Sequence, residues 1–166
     1  METSDVPTAE AFAAFQQTLQ ARGAREALVY LNGLTDYRYT GVFRFSAGFA
    51  HSLYYVDRVN PEVHMIPGIP ENATYCCFVR DSRGQFTTLD ALIDDRLEDH
   101  PARKEVRGYC GIPVIDPEGV LLGTLCHFDE MPRDSTQLDL DLLLQAASEL
   151  ARHGKVAKVN VASSAP

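Results

Sequence analysis

The stretch that most constrains this chain runs from Arg107 to Pro132, RGYCGIPVIDPEGVLLGTLCHFDEMP. Asp116-Pro117-Glu118-Gly119 sets proline where a type I turn needs a φ of about −65° and glycine at the turn's last position. Apolar, β-branched runs flank it, Ile112, Val114 and Ile115 before the turn and Val120, Leu121 and Leu122 after it. Such runs suit a half-buried sheet, so the segment reads as a hairpin. With Asp116 opposite Gly119, Ile115 pairs with Val120, Pro113 with Leu122, Gly111 with Thr124 and Tyr109 with Cys126.

Side chains alternate along a strand, so this register divides the hairpin into two faces. One carries Cys110, Ile112, Val114, Leu121 and Leu125 and is continuously apolar, as a face packed by helices must be. The other carries Tyr109, Gly111, Pro113, Leu122, Thr124 and Cys126, a mixture of small, polar and aromatic groups. A mixture of that kind is poor core material and suits the floor of a cavity. Cys110 and Cys126 project from opposite faces, which argues against a bond between them.

Tyr109-x-Gly111-x-Pro113, a short turn, Gly123-Thr124-Leu125-Cys126, and Asp129 followed by Pro132-Arg133 together resemble the C-terminal half of a GAF domain. The likeness extends more weakly upstream through TYCCFVRDSRGQFTTLDALIDDR, and so covers roughly Tyr37 to Leu150. It implies an α+β fold: a central antiparallel sheet of five to six strands, N- and C-terminal helices on one face, a lid helix and loops over a pocket on the other. It does not fix a ligand, because one fold serves many functions.

The chain has 166 residues, 45% of them hydrophobic, enough for one domain with a sizeable core. The expected division is a flexible arm at 1–7, one GAF-like domain at 8–153 and a tail or linker at 154–166. No apolar run approaches the roughly 20 residues of a membrane span, and METSDVPTAE lacks the basic start and apolar centre of a secretory signal. Both point to a cytoplasmic protein. The net charge of −8 argues against nucleic acid or an anionic membrane as partner. The four cysteines, Cys76, Cys77, Cys110 and Cys126, lack zinc-site spacing.

In chain order, Thr8 starts a helix with Phe12, Phe15 and Leu19 on one face, broken at Gly23. A second helix carries Ala27, Leu28, Leu31 and Leu34 and ends near Asn32-Gly33. Tyr37 to Ser46 alternates as a strand, with Tyr37, Tyr39, Phe43 and Phe45 on one side, and Phe49 to Arg58 returns. Asn60 to Pro70 is a loop, and a helix follows from about Asn72 to Ser82 with Tyr75, Phe78 and Val79 as its stripe. A short strand is expected at Gln85 to Leu89 and a short helix at Pro101. The final helix, Ser135 to His153, starts on an Asp134/Gln137 capping pattern. Its apolar surface is wider than one contact face needs, which points to a homodimer through the N- and C-terminal helices.

Neither a Gly-rich phosphate loop, nor G-x-S-x-G, nor H-E-x-x-H is present, and the five histidines are scattered. Asp90, Asp94 and Asp95 read as a solvated acidic run; the resemblance gives Asp90 and Asp94 the role of shaping the loop around the pocket. The function read here is a sensory module that binds a small molecule and signals through its terminal helices. Phe43, Tyr75, Cys76, Tyr109, Thr124 and Cys126 are the expected ligand-contacting residues, with no catalytic or metal-binding residue, and neither ligand nor cofactor is identified. The runner-up, drawn from one branch of the family, is a thiol enzyme such as a free methionine sulfoxide reductase, using Cys76 and Cys126.

Overall fold

The computed structural model describes residues 6–158. Residues 1–5 of the expected arm and 159–166 of the expected tail lie outside the described residues. Helix α1 spans Thr8–Arg22 and α2 spans Ala24–Gly33, broken apart at Gly23, whose φ of +97° a side chain rarely adopts. The strands are β1 (Tyr39–Ser46), β2 (Phe49–Asp57), β3 (Ile69–Pro70), β4 (Phe86–Thr88), β5 (Gly108–Ile115) and β6 (Leu121–Asp129). Helix α3 (Cys76–Ser82) follows β3, and α4 (Leu140–Arg152) follows β6. The strands form one antiparallel sheet in the order β3-β2-β1-β6-β5-β4, so the β1–β6 pairing joins its two halves.

Two cores lie on the two faces. Phe15, Leu28, Leu31, Val42, Ile112, Val114, Leu125, Leu143 and Leu150 fill the face covered by α1, α2 and α4. Phe43, Tyr55, Tyr75, Cys76, Val79, Leu97, Tyr109 and Cys126 fill the face under α3 and the loops. The α+β architecture therefore follows the expectation, with helices at both termini on one side and the short helix on the other.

The hairpin register departs from the expected one, and the cause is local. Gly119 turns at φ +86°, and Asp116 N donates to Val120 O (2.9 Å), so the turn takes one more residue than supposed. A bulge then lies where Val114 pairs with Gly123 and Ile115 with Leu121. Each event slips the register by one. Two slips restore the parity of the faces, so Pro113 pairs with Thr124, Gly111 with Cys126 and Tyr109 with Phe128. Cys110 and Cys126 do face opposite sides. Leu122 is the exception: it falls in the bulge and packs with the helical core instead of the cavity face.

Other elements shift in smaller ways. Tyr37 precedes β1 and packs at a tilt against His127 (centroids 5.7 Å) on the helical side, rather than with Tyr39 and Phe43. Pro101 opens a run of turns, not a helix. Asp134 caps only a single 3-10 turn at Ser135–Gln137, while Asp139 caps α4 by accepting from Leu142 N (3.0 Å). The wide apolar face of α4 is largely used within the chain: Leu142, Leu143, Ala146, Ala147 and Leu150 are buried, whereas Leu144 is 51% exposed. Helix α1 takes up much of that width. Packed structure continues past His153, since Val156 is buried and Tyr54 donates its hydroxyl to Lys155 O (2.8 Å).

Asp139 has a second task. Its Oδ2 accepts from Thr8 Oγ1 (2.6 Å), tying the start of α1 to the start of α4. Asp139→Ala removes a helix cap and this inter-helix bond together. A loss of about 1–2 kcal/mol is expected from urea denaturation. A loss no greater than that of an exposed-site alanine control would contradict the double role.

Candidate functional site between the sheet and α3

The β5 and β6 strands supply the floor of the site. Tyr109 and Cys126 project from it, and the Tyr109 ring lies over Gly111, where a Cβ would collide with it. Phe43 from β1 and Phe128 from β6 form one wall, their ring centroids 6.1 Å apart. Helix α3 forms the roof. Tyr75 and Cys76 point down from it, and Tyr75 meets Tyr109 edge to face at 5.4 Å. The Tyr75 hydroxyl donates to Val106 O (2.8 Å), which pins the loop before β5 against the roof.

These groups enclose a cavity of about 60 Å³ lined by Phe43, Tyr75, Cys76, Tyr109, Cys126 and Phe128, with a rim of half-buried Ile69, Ala73, Ala102 and Val106. Five of the six residues expected at the site thus share this cavity. Thr124 does not line it. It is fully buried one step along β6, near Cys76, and its hydroxyl makes no well-formed hydrogen bond to any described residue. Phe128 was missed, although strand alternation after Cys126 places it on the same face. The rim residues come from loops and carry no such periodic signal.

The polar chemistry of the cavity belongs to its sulfur atoms. Tyr109 donates its hydroxyl to Cys76 Sγ (3.3 Å). The Cys126 thiol donates to Gly41 O (3.7 Å) and lines the same cavity as Cys76. The nearby Cys126 thiol, and then the Thr124 and Tyr109 hydroxyls, hold the Cys76 thiol below its ordinary pKa against the opposing effect of burial. Burial, and the same Cys76 partner, push Cys126 up. Burial and the neighbouring thiols also push Tyr109 up. Cys77 is different: it is half-buried, donates to Thr74 O (3.0 Å) and does not line the cavity.

The acidic run is structural. Asp90 accepts two bonds from Arg107 (3.0 and 2.7 Å) as well as one from Leu92 N. Asp94 receives Arg96 in the same way, which lowers its pKa to about 2. Among the described residues no cluster of three or more His, Cys, Asp or Glu side chains could hold a metal ion. On the opposite face, His127 is buried and its Nδ1 lies 2.6 Å from Thr40 Oγ1. Asn32 Nδ2 donates to that hydroxyl oxygen (2.9 Å), and Arg58 donates to Asn32 Oδ1 (3.0 Å).

Comparison with known proteins agrees with this architecture. No protein-family profile matches the chain. A stretch of 67 residues is 34% identical to a cyclic di-GMP phosphodiesterase of Pseudomonas aeruginosa, covering 39% of this chain but only 11% of that protein. The GAF domain of an Acinetobacter phosphoenolpyruvate-protein phosphotransferase superposes with a TM-score of 0.70 at 10% identity, covering 89% of this chain and 92% of that one. Free methionine-R-sulfoxide reductase of Neisseria meningitidis, solved with its substrate, reaches 0.68 at 13% identity, covering 95% and 96%. The chromophore-binding domain of a bacteriophytochrome from R. palustris reaches 0.67 at 9% identity, covering 93% of this chain and 63% of that one. The protein has the GAF fold. At these identities the likeness concerns the fold, which is shared by sensor domains and by an enzyme.

Proposed function

We propose that the protein is a GAF-type sensory or regulatory module. It takes a small molecule into the cavity between the sheet and α3 and passes the bound state to α1 and α4 on the other face. The observation that carries this reading is the cavity itself: an apolar pocket with a few convergent polar groups, roofed by a short helix that, among the described residues, makes no backbone bond to the sheet. Strands β5 and β6 contribute Tyr109 and Cys126 to one face, and Ile112 and Leu125 to the core under α4, on the other. A shift of the floor is therefore felt under the terminal helices. Binding biases the module by its differential affinity for two such states.

The size of the cavity limits the ligand. Sites for drug-sized ligands enclose roughly 300–1,000 Å³, and this one encloses about 60 Å³. As it stands it admits only a few non-hydrogen atoms. A cyclic nucleotide or a haem would require α3 and the loop around Ala102 to move outward. A homodimer through α1 and α4, with the exposed Leu144 at its contact, and a cytoplasmic location complete the proposal. Among the described residues no helix is long and apolar enough to cross a membrane.

The reading is tested by native mass spectrometry of freshly purified protein and a thermal-shift screen of metabolites, with sedimentation velocity reporting the oligomer. A stabilising ligand is expected, and Ala102→Val, which fills the rim, should weaken its binding at least tenfold while leaving the unliganded protein folded. Absence of any ligand in both assays, or a ligand indifferent to Ala102→Val, would overturn it.

A further inference from the structure

We propose that Cys76 and Cys126 form a peroxide-sensitive dithiol, closed to a disulfide by hydrogen peroxide that enters the cavity. The proposal concerns the cavity described above and names an input for it, but it requires no other ligand to be found. Three observations converge on it. Both cysteines line one cavity of only about 60 Å³. Tyr109 Oη points its hydrogen at Cys76 Sγ (3.3 Å). The Thr124 hydroxyl, fully buried beside Cys76, has no well-formed hydrogen bond among the described residues. A buried hydroxyl without a partner carries a desolvation cost. That cost is recovered when Cys76 acquires negative charge or an oxygen atom.

The arrangement assigns unequal roles. Cys76 receives the Tyr109 hydroxyl and is the sulfur that becomes a thiolate, the form that reacts with peroxides. Cys126, whose thiol donates to Gly41 O (3.7 Å), stays protonated until the second step. In the first step the Cys76 thiolate attacks one peroxide oxygen. The S–O bond forms, the O–O bond breaks, and the departing hydroxide takes up the proton that Cys76 released, giving water. The sulfur is oxidised by two electrons and the peroxide is reduced by two. In the second step the Cys126 sulfur attacks Cys76 Sγ; the S–S bond forms, the S–O bond breaks, and the leaving hydroxide takes the Cys126 proton as a second water. The sum is two thiols and one hydrogen peroxide giving one disulfide and two waters.

The cavity volume selects the oxidant. A water molecule needs about 10–15 Å³ of such space, so about 60 Å³ admits hydrogen peroxide and excludes an aryl hydroperoxide. Closing the bond would link α3 covalently to β6, fixing the roof to the floor. Cys110 cannot compete, since it faces the helical core, where burial pushes its thiol up to about 12. Cys77 can compete from outside the cavity, so the test is made on the full chain carrying Cys77→Ser.

Treatment with hydrogen peroxide should lower the intact mass by two hydrogens and give one cross-linked peptide joining Cys76 to Cys126, reversed by dithiothreitol. Cumene hydroperoxide should react at least tenfold more slowly. With Cys126→Ser, or Cys126→Ala as a second form, Cys76 should stop at a sulfenic acid, read as a gain of one oxygen in the intact mass and placed on Cys76 by peptide mapping after dimedone is added on unfolding. Tyr109→Phe should slow the first step several-fold at pH 7. The proposal is overturned if the cross-link does not form in folded protein, if Cys76 reacts no faster than Cys110, or if the aryl peroxide reacts equally well. None of these outcomes bears on whether the metabolite screen finds a ligand, so the two readings fail separately.

Discussion

Replacing Gly123 by alanine is expected to destabilise the protein by about 3 kcal/mol or more, a large effect for one methyl group. Gly123 sits on β6 opposite Val114, next to the seam with β1. A Cβ there would lie inside van der Waals contact with Phe43 O, with the Phe43 carbonyl carbon only 3.3 Å away. Phe43 O belongs to the backbone, so no rotamer change removes the clash. Strand β1 must move away from β6, and that pairing is what joins the two halves of the sheet. The relief open at Gly111, where the obstruction is the movable end of Tyr109, is absent here. Urea denaturation should show a lower midpoint with an unchanged slope. For a chain of this size the melting temperature should fall by roughly 10 °C. A loss below about 1 kcal/mol would mean that the β1–β6 seam is more yielding than its geometry indicates.

Acid should destabilise the fold well before its carboxylates titrate, and His127 should be the cause. Its imidazole is buried, and burial, with Arg58 adding a like charge, lowers its pKa from 6.5 to about 3. Thr40 Oγ1 accepts from Asn32 and carries one hydrogen of its own to offer His127 Nδ1, which suits the tautomer with that nitrogen unprotonated. Protonation there would set two hydrogens against each other. The sign follows from linkage. Below its ordinary pKa the unfolded chain binds a proton that the folded chain refuses, so stability falls as pH falls. The loss begins near pH 6.5 and continues to about pH 3, at up to about 1.4 kcal/mol per pH unit. Between pH 6.5 and 4.5 it should reach about 2–3 kcal/mol. Asp57, Asp90 and Asp94, whose pKa values are lowered, contribute in the same direction only at lower pH. His127→Gln should be less stable at neutral pH but much flatter across this window. Equal slopes for the two proteins would assign the acid lability to other groups.

The architecture was largely legible because hydrophobic periodicity is local information. Phe12, Phe15 and Leu19 mark a helix by their spacing. Ile112 and Val114 set against Tyr109 and Gly111 mark a strand with unlike faces. Parity survived even where register failed: the longer turn at Gly119 and the bulge at Val114 each moved the pairing by one, and together they returned Cys126 to the cavity face. Had only one occurred, the face assignment would have inverted. The Cys76–Cys126 juxtaposition was legible as a possibility, from one residue on the inner face of a strand and one at the edge of a helical stripe. The His127–Thr40–Asn32–Arg58 network was not. Its members come from four separate segments, and each one, taken alone, is an ordinary polar residue beside an apolar stretch.

By itself the sequence determined which side of each element is apolar, where the chain turns, and that a thiol and an aromatic ring, Cys126 and Tyr109, would stand on the inner face of the β5–β6 hairpin. Those properties follow from side-chain chemistry at a fixed spacing along the backbone. Only the tertiary structure decided how much room lies beneath α3, that the broad apolar face of α4 is shared between the sheet and α1, and that Cys76 receives the Tyr109 hydroxyl. Volume and partnership arise where segments distant in sequence pack together, and no local pattern records the distances between them.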